Sequence, residues 1–163
     1  MTLTVPQPIT ESHHISGFDS GVPLLDDWLK RRARANHASG ASRTYVVCDD
    51  RRVVAYYALA SGAIEIAQTT GRVRRNMPDP VPMVVLGRLA IEHTYQGRGL
   101  GRALIRDAAR RVLQAAEVIG IRAILVHALS QEAKAFYLAV GFEPSPLQPM
   151  TLMVTLADIQ AVL

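Results

Sequence analysis

Gln96-Gly97-Arg98-Gly99-Leu100-Gly101 carries the densest chemical signal in the chain. Glycines at alternate positions free the backbone for dihedrals that turn successive N–H groups toward one point. They also let a bulky anion approach the main chain. Arg98, Arg102 and Arg106 add cationic side chains around the same spot. A helix starting here would contribute its unpaired first amides and the positive end of its dipole. A pyrophosphate with a further phosphate nearby suits this arrangement. No Lys-Ser/Thr pair follows the last glycine, so the loop is not a P-loop. Arg102 stands where G-x-G-x-x-G needs its third glycine, which disfavours a nicotinamide nucleotide.

The elements that must position this loop are legible on both sides of it. From Met83 an apolar run, interrupted only by Gly87 and Arg88, reads as a central strand covered on both faces. From Leu100 onward Leu104, Ala108, Arg111 and Ala115 recur at helical spacing. Further upstream, residues 1–20 read as a short strand and a loop. A helix follows Gly21, with Pro23 in its first turn and Leu24, Leu25, Trp28, Leu29 and Ala33 as its apolar stripe, and it ends at Gly40. Arg43–Cys48 and Arg52–Leu59 predict a hairpin about Asp49-Asp50. Residues 60–68 either continue its second strand or bend out of it. Thr69–Pro82 reads as irregular. Ala123–Leu129 predicts a strand, Gln131–Val140 a short helix, Met150–Leu156 a last strand, and Ala157–Leu163 a terminal turn or helix. The predicted fold class is α/β (α+β), a mixed and mostly antiparallel sheet flanked by helices.

The 163 residues and 49% apolar share suit a single globular domain over residues 1–163. No apolar run reaches membrane-spanning length and no signal-peptide core opens the chain, so no membrane partner and a cytoplasmic location are expected. Cys48 is alone, which excludes an internal disulfide framework. His13, His14, His37, His93 and His127 form no zinc spacing with it, and no metal is expected. The net charge is +4. Arginine supplies sixteen of the eighteen cationic side chains, a bias that suits phosphate recognition. Two clusters stand out as candidate polyanion contacts. One is Lys30, Arg31 and Arg34 with Arg32 on the helix face opposite the stripe, where ordinary dipole electrostatics is the other reading, since Asp26 and Asp27 open the same helix. The other is Arg72, Arg74 and Arg75 within the stretch read as a basic loop.

Gln96-x-x-Gly99-x-Gly101 after an apolar strand resembles the acyl-coenzyme A loop of the GNAT superfamily of acetyltransferases. A second segment, K-A-F-Y-L-A-V-G-F-E at 134–143, resembles the GNAT pattern in which a helix tyrosine faces the coenzyme A sulfur and the helix closes on Gly-Phe. The N-terminal half is similar to the GNAT toxins of bacterial toxin–antitoxin pairs. F-D-S-G-V-P-L-L-D-D-W-L-K carries Phe18, Gly21, Leu25, Asp26 or Asp27, Trp28 and Leu29; A-S-G-A-S-R-T-Y-V-V-C carries Gly40, Thr44, Tyr45 and Val46; L-G-R-L-A follows at 86–90. The resemblance spans nearly the whole chain. It implies the GNAT acyl-CoA N-acyltransferase fold, acetyl-CoA as cosubstrate, acetylation of the α-amino group of an aminoacyl-tRNA and a ribbon-helix-helix antitoxin as partner; a homodimer stays open. An acetyltransferase for a protein N-terminus or a small amine is the rival within enzymes, and a non-catalytic module that binds coenzyme A, nucleic acid or antitoxin is the rival outside them.

Individual residues then take expected roles. Tyr137 is the candidate catalytic acid, since a phenol of pKa about 10 keeps its proton at neutral pH and can pass it to a departing thiolate. Gln96, Gly97, Arg98, Gly99, Leu100, Gly101 and Arg102 would hold the pyrophosphate. Backbone groups around Leu89, Ala90 and Ile91 would meet the pantetheine arm and thioester. Ser130 either touches that arm or caps the next helix. His127 is a base or a satisfied core histidine. Arg88, a charge inside an apolar strand, is either a buried ion pair or a contact for an anionic group of tRNA. The central strand offers no carboxylate before Glu92, which stands beside the phosphate loop. A lysine acceptor of pKa about 10.4 would need a base, whereas an α-amine of pKa about 7.7–8 is already partly neutral. The sequence therefore suits an α-amine.

Overall fold

In a computed structural model, which describes residues 2–162, the strands are β1 (Gln7–Pro8), β2 (Arg43–Asp49), β3 (Arg52–Ile64), β4 (Val81–Ile91), β5 (Ala123–His127), β6 (Glu143–Pro144) and β7 (Thr151–Thr155). The helices are α1 (Pro23–Arg31), α2 (Ala33–Ser39), α3 (Gly71–Arg74), α4 (Leu100–Ala115), α5 (Gln131–Val140) and α6 (Leu156–Ala161). The strands form one mixed sheet in the order β1-β2-β3-β4-β5-β7-β6, flanked by the helices. β4 and β5 run parallel, and α4 is the crossover that parallel neighbours require. The pairs β1–β2, β2–β3, β5–β7 and β6–β7 are antiparallel. The chain divides into two compact units, Met1–Ala60 with Gly87–Ala108, and Ser61–Leu86 with Ala109–Leu163.

The first unit is built around Tyr56. Val53–Ala58 is buried at every position, as an apolar run without alternation requires. Trp28 stacks on Tyr56 at 6.0 Å between ring centroids and Phe18 meets it edge-on at 5.6 Å. The Tyr56 hydroxyl donates to the Leu25 carbonyl at 2.6 Å. Leu25, Leu29 and Ala33 are buried as the stripe predicts, but Leu24 is 63% exposed. The single helix expected up to Gly40 is two. Arg32, at φ −123°, ends α1 and precedes α2. Beyond Ala33 the sequence Arg34-Ala35-Asn36-His37 offers no large apolar side chain to hold a continuous helix on the core. Gly40, at φ +85°, closes α2. The hairpin turns at Asp50, which adopts φ +59°, a conformation aspartate tolerates better than most residues.

The second unit packs Val73, Val81, Met83, Ala123, Leu125 and Met153 into one core, with Ile64, Ile66, Met77 and Val85 against it. β3 runs on to Ile64 before turning out. The stretch expected to be irregular contains α3. Thr70 caps it by accepting from the Val73 amide at 3.3 Å, and buried Val73 anchors it. β5 stops at His127, two residues short of the expected end. β7 is Thr151–Thr155, one residue shorter than expected at each end, and at the C-terminal end Thr155 instead caps α6 by accepting from the Asp158 amide at 3.1 Å. Of the stretch expected to be a terminal turn or helix, α6 takes the residues up to Ala161, while Leu163 lies outside the described residues.

Candidate functional site

β4 delivers the chain into the glycine loop through Leu89, Ala90 and Ile91, of which Ala90 is buried and the other two half-buried. Gly97 and Gly99 hold φ of +77° and +82°, where an L side chain is strained. A Cβ at either would meet nothing within 4 Å, so glycine is needed there for its dihedrals and the space beside the loop is open. Gly101 departs from its expected role as a third turn residue. α4 has already begun at Leu100, so Gly101 lies within its first turn. The Ala103 amide bonds the Gly99 carbonyl at 3.2 Å, and the amides ahead of it belong to the unpaired start of the helix. Arg98, Arg102 and Arg106 are exposed. Open space, unpaired amides and exposed arginines together fit a pyrophosphate group.

The loop is tethered by polar residues just before it. Nε2 of Gln96 donates to the carbonyls of Ile91 at 2.8 Å and Ser20 at 2.9 Å. Ser20 in turn is held by Asp26, whose carboxylate accepts from the Ser20 hydroxyl at 2.6 Å and from its amide at 3.0 Å. Tyr95 is buried; its hydroxyl donates to Asp49 at 2.6 Å, and that bond raises its pKa. The guanidinium groups of Arg98 and Arg52 lie 5.2 and 5.7 Å from its ring centroid. Glu92 is buried, accepts from the Thr94 hydroxyl and pairs with Arg52 at 3.5 Å. The roles of Ser20, Asp49 and Tyr95 gave no signal in the sequence, since each depends on a partner distant along the chain.

Arg88 is half-buried and does not form the buried ion pair that was one of its two expected roles. Among the described residues no carboxylate pairs with it. Its guanidinium lies 5.0 Å from the Trp28 ring centroid, one terminal nitrogen donates to the Gly87 carbonyl at 3.0 Å, and Nε is buried without a partner. Lys30 and Arg31 are exposed. Arg34 is engaged within the unit, donating to the Thr10 carbonyl at 3.2 Å and to the His13 carbonyl, with Glu11 at 3.8 Å.

In the second unit α5 presents Tyr137, only 7% exposed. Phe136 and Phe142 meet its ring edge-on at 5.3 and 5.5 Å. The helix closes on Gly141 at φ +110°, and the Phe142 amide bonds the Tyr137 carbonyl at 3.0 Å, which is how Gly-Phe after the helix seats Phe142 on the tyrosine. The Tyr137 hydroxyl has no hydrogen-bond partner among the described residues. Burial pushes its pKa up to about 12. Ser130 takes the capping role, accepting from the Ala133 amide at 3.0 Å. His127 is exposed rather than a core residue, with Nδ1 3.0 Å from the Thr151 hydroxyl; it stands at the end of β5, past the buried run Ala123–Val126.

The basic stretch of the same unit is anchored by its own structure. Arg72 grips Asp158 with two bonds of 2.6 Å, which hold the Asp158 carboxyl below its ordinary pKa. Arg74 donates to the Thr69 carbonyl. Arg75 is exposed and has no side-chain partner among the described residues. Arg122, which no motif in the sequence marks, donates to the carbonyls of Val73 at 3.0 Å and Arg72 at 2.8 Å. Arg72, Arg75 and Arg122 line a notch of about 150 Å³ with Thr155, Ala157 and Asp158.

Residues 40–144 match the family model of the acetyltransferase (GNAT) domain. Over 160 residues the chain is 53% identical to a tRNA-acetylating toxin of Mycobacterium tuberculosis, covering 98% of this chain and 96% of that one. Among solved structures it superposes on AtaT complexed with acetyl-methionyl-tRNAfMet with a TM-score of 0.90 at 28% identity, covering 99% of both chains. It also matches a mutant of the AtaT toxin bound to the C-terminus of the antitoxin AtaR and acetyl-CoA, with a TM-score of 0.84 at 28% identity over 99% of this chain and 98% of that one.

Proposed function

The chain belongs to the GNAT acetyltransferases, and from that premise we infer that it is an acetyl-CoA-dependent toxin that acetylates the free α-amino group of aminoacyl-tRNA. The observation that carries this reading is the 53% identity, over 98% of the chain, to a tRNA-acetylating toxin. An acetylated α-amine cannot form the next peptide bond, so the product withdraws charged tRNA from translation. That substrate places the reaction in the cytoplasm. The natural partner is an antitoxin of the ribbon-helix-helix class.

Acetyl-CoA supplies the acetyl group as an activated thioester. The residues Gln96–Arg102 hold its pyrophosphate through the unpaired amides at the start of α4 and the adjacent arginines. The amine nitrogen of the aminoacyl ester forms the new bond to the acetyl carbon as the carbon–sulfur bond breaks. Tyr137 donates its phenolic proton to the sulfur that leaves, and the proton the amine gives up passes through water to restore the phenol. Two observations support the absence of a carboxylate base. Glu92, the first carboxylate after the start of β4, is occupied by Thr94 and Arg52. The α-amine, with a pKa of about 7.7–8, reaches the site partly neutral.

Exposed Lys30 and Arg31 and the Arg72–Arg75–Arg122 notch are the proposed contacts for the tRNA backbone. Two of the three notch arginines are already fixed by bonds within the chain, so a phosphate there would order only Arg75. Arg88 has an unpaired buried Nε to offer an acceptor oxygen of the aminoacyl end. The deciding experiment is mass spectrometry of the amino acids borne by tRNA after incubation with acetyl-CoA. The expected result is one added acetyl on the α-nitrogen of at least one aminoacyl-tRNA. Unmodified aminoacyl-tRNA beside an acetylated small amine or protein N-terminus would overturn the reading.

A further inference from the structure

We propose that Asp26, on α1, is a positioning residue for the coenzyme A pyrophosphate, acting through Ser20 and Gln96. Asp26 is only 8% exposed, and no cation is near enough to pair with it among the described residues. Its carboxylate instead collects three bonds from one residue: the Ser20 hydroxyl at 2.6 Å and the Ser20 amide at 3.0 and 3.2 Å to the two oxygens. Bonds of this kind, from neutral donors to a buried charge, are short and strong. They hold Ser20 at its amide and its side chain, and its carbonyl receives Nε2 of Gln96 at 2.9 Å. The second hydrogen of that amide goes to the Ile91 carbonyl at 2.8 Å, so both donors of Gln96 are consumed in holding its own main chain. Gly97, the next residue, then enters the left-handed turn at φ +77°. Glycine contributes no side chain to hold such a turn, and its backbone is the most costly of all to order. The order must come from the residue before it.

The inference rests on the coenzyme A reading given above, and the test separates the two. S-acetylpantetheine carries the same thioester as acetyl-CoA but no pyrophosphate. In the wild type, kcat/KM should be much higher for acetyl-CoA than for S-acetylpantetheine, with the same aminoacyl acceptor. Asp26→Asn keeps the size of the side chain and removes the charge. It should lower kcat/KM for acetyl-CoA by about tenfold or more, the scale of a lost hydrogen bond to a charged group. It should leave S-acetylpantetheine unchanged. Gln96→Met should produce the same selective loss, and the double variant should lose little more than either alone, because both act through one chain of bonds. Should Asp26→Asn not fold, Ser20→Ala removes the 2.6 Å bond alone and is read by the same ratio. An equal loss with both acetyl donors, or losses that multiply in the double variant, would reduce Asp26 to a general support of the fold. A wild type that treats the two donors alike would instead remove the pyrophosphate from the loop, and with it the premise.

Discussion

In the first unit the residues ahead of the phosphate loop are fixed by polar bonds: Gln96 to two carbonyls, Tyr95 to Asp49, Glu92 to Thr94 and Arg52. In the second, Tyr137 is fixed by the edges of two phenylalanine rings, and its hydroxyl bonds to nothing among the described residues. The difference matches the work that the proposed reaction assigns to each half. A pyrophosphate carries the same charge before and after acetyl transfer, so its donors serve best when held rigidly in place. A proton donor is needed only when charge develops on the leaving sulfur. An apolar surround keeps the phenol neutral until then.

The largest effect expected from breaking this contrast is at Tyr137. Tyr137→Phe keeps the packing and removes the proton, and turnover should fall by roughly 10²–10⁴-fold, with acetyl-CoA affinity by calorimetry unchanged. The raised pKa sets the shape of the pH profile. The acid is active while protonated, so turnover should climb through the titration of the amine near pH 8 and hold above pH 10, where an ordinary phenol would be ionising. It should decline only on approach to about 12. A fall centred near pH 10 would mean that the aromatic surround does not shield the hydroxyl.

Next in size is the loop itself. Gly99→Asp places a side chain at φ +82° and a carboxylate against the bound pyrophosphate. The dihedral alone costs about 1–3 kcal/mol, and acetyl-CoA affinity should drop by about a hundredfold or more once repulsion is added. Gly99→Asn carries the strain without the charge. It should recover part of the affinity, and equal losses in the two variants would assign the whole effect to the backbone.

Arg75→Ala is expected to act more weakly and on tRNA alone. One phosphate contact fewer should flatten the slope of log affinity against log salt by about 0.7–0.9, with activity on a free aminoacyl ester retained. An unchanged slope would remove the notch from the tRNA surface. The smallest effect belongs to Ser130→Ala. Loss of a helix cap should cost about 1 kcal/mol of stability, visible as a lower Tm, with kinetic constants close to wild type. A large rise in KM for acetyl-CoA would restore to Ser130 the role at the cofactor arm that the sequence also allowed.

What could be read in advance follows the range of the interaction that decides it. The loop, its strand and its helix are local, so Gly97, Gly99 and the start at Leu100 emerge from the sequence directly. Gln131–Val140 carries its cap at Ser130 and its stop at Gly141 within a dozen residues, and its bounds are as expected. Gly101 is the exception: the alternate glycines suggest a third turn residue, but the start of α4 at Leu100 already places it inside the helix. Arg74 reads as part of a free basic loop because its bond to the nearby Thr69 carbonyl depends on the short helix α3, which the sequence does not signal, and Arg72 because its acceptor, Asp158, becomes a neighbour only on folding. The same holds for Arg88, whose neighbour Trp28 lies sixty residues earlier in the chain. The α1 segment was legible as a pattern, but which of its two aspartates mattered was not. Burial separates them, with Asp26 inside and Asp27 exposed.

The layering of Tyr56, Trp28 and Arg88 makes the protein its own optical reporter. Trp28 is the sole tryptophan in the sequence, and it belongs to the first unit. Excited at the red edge of its absorption, only this indole emits. A phenol stacked on it and a guanidinium above it set the colour and lifetime of that emission. Anything that draws Arg88 away toward an acceptor oxygen must change the light. If Arg88 meets the aminoacyl end as proposed, its arrival would be timed in the unlabelled protein by stopped-flow fluorescence. The second unit contains no tryptophan to contribute to the signal.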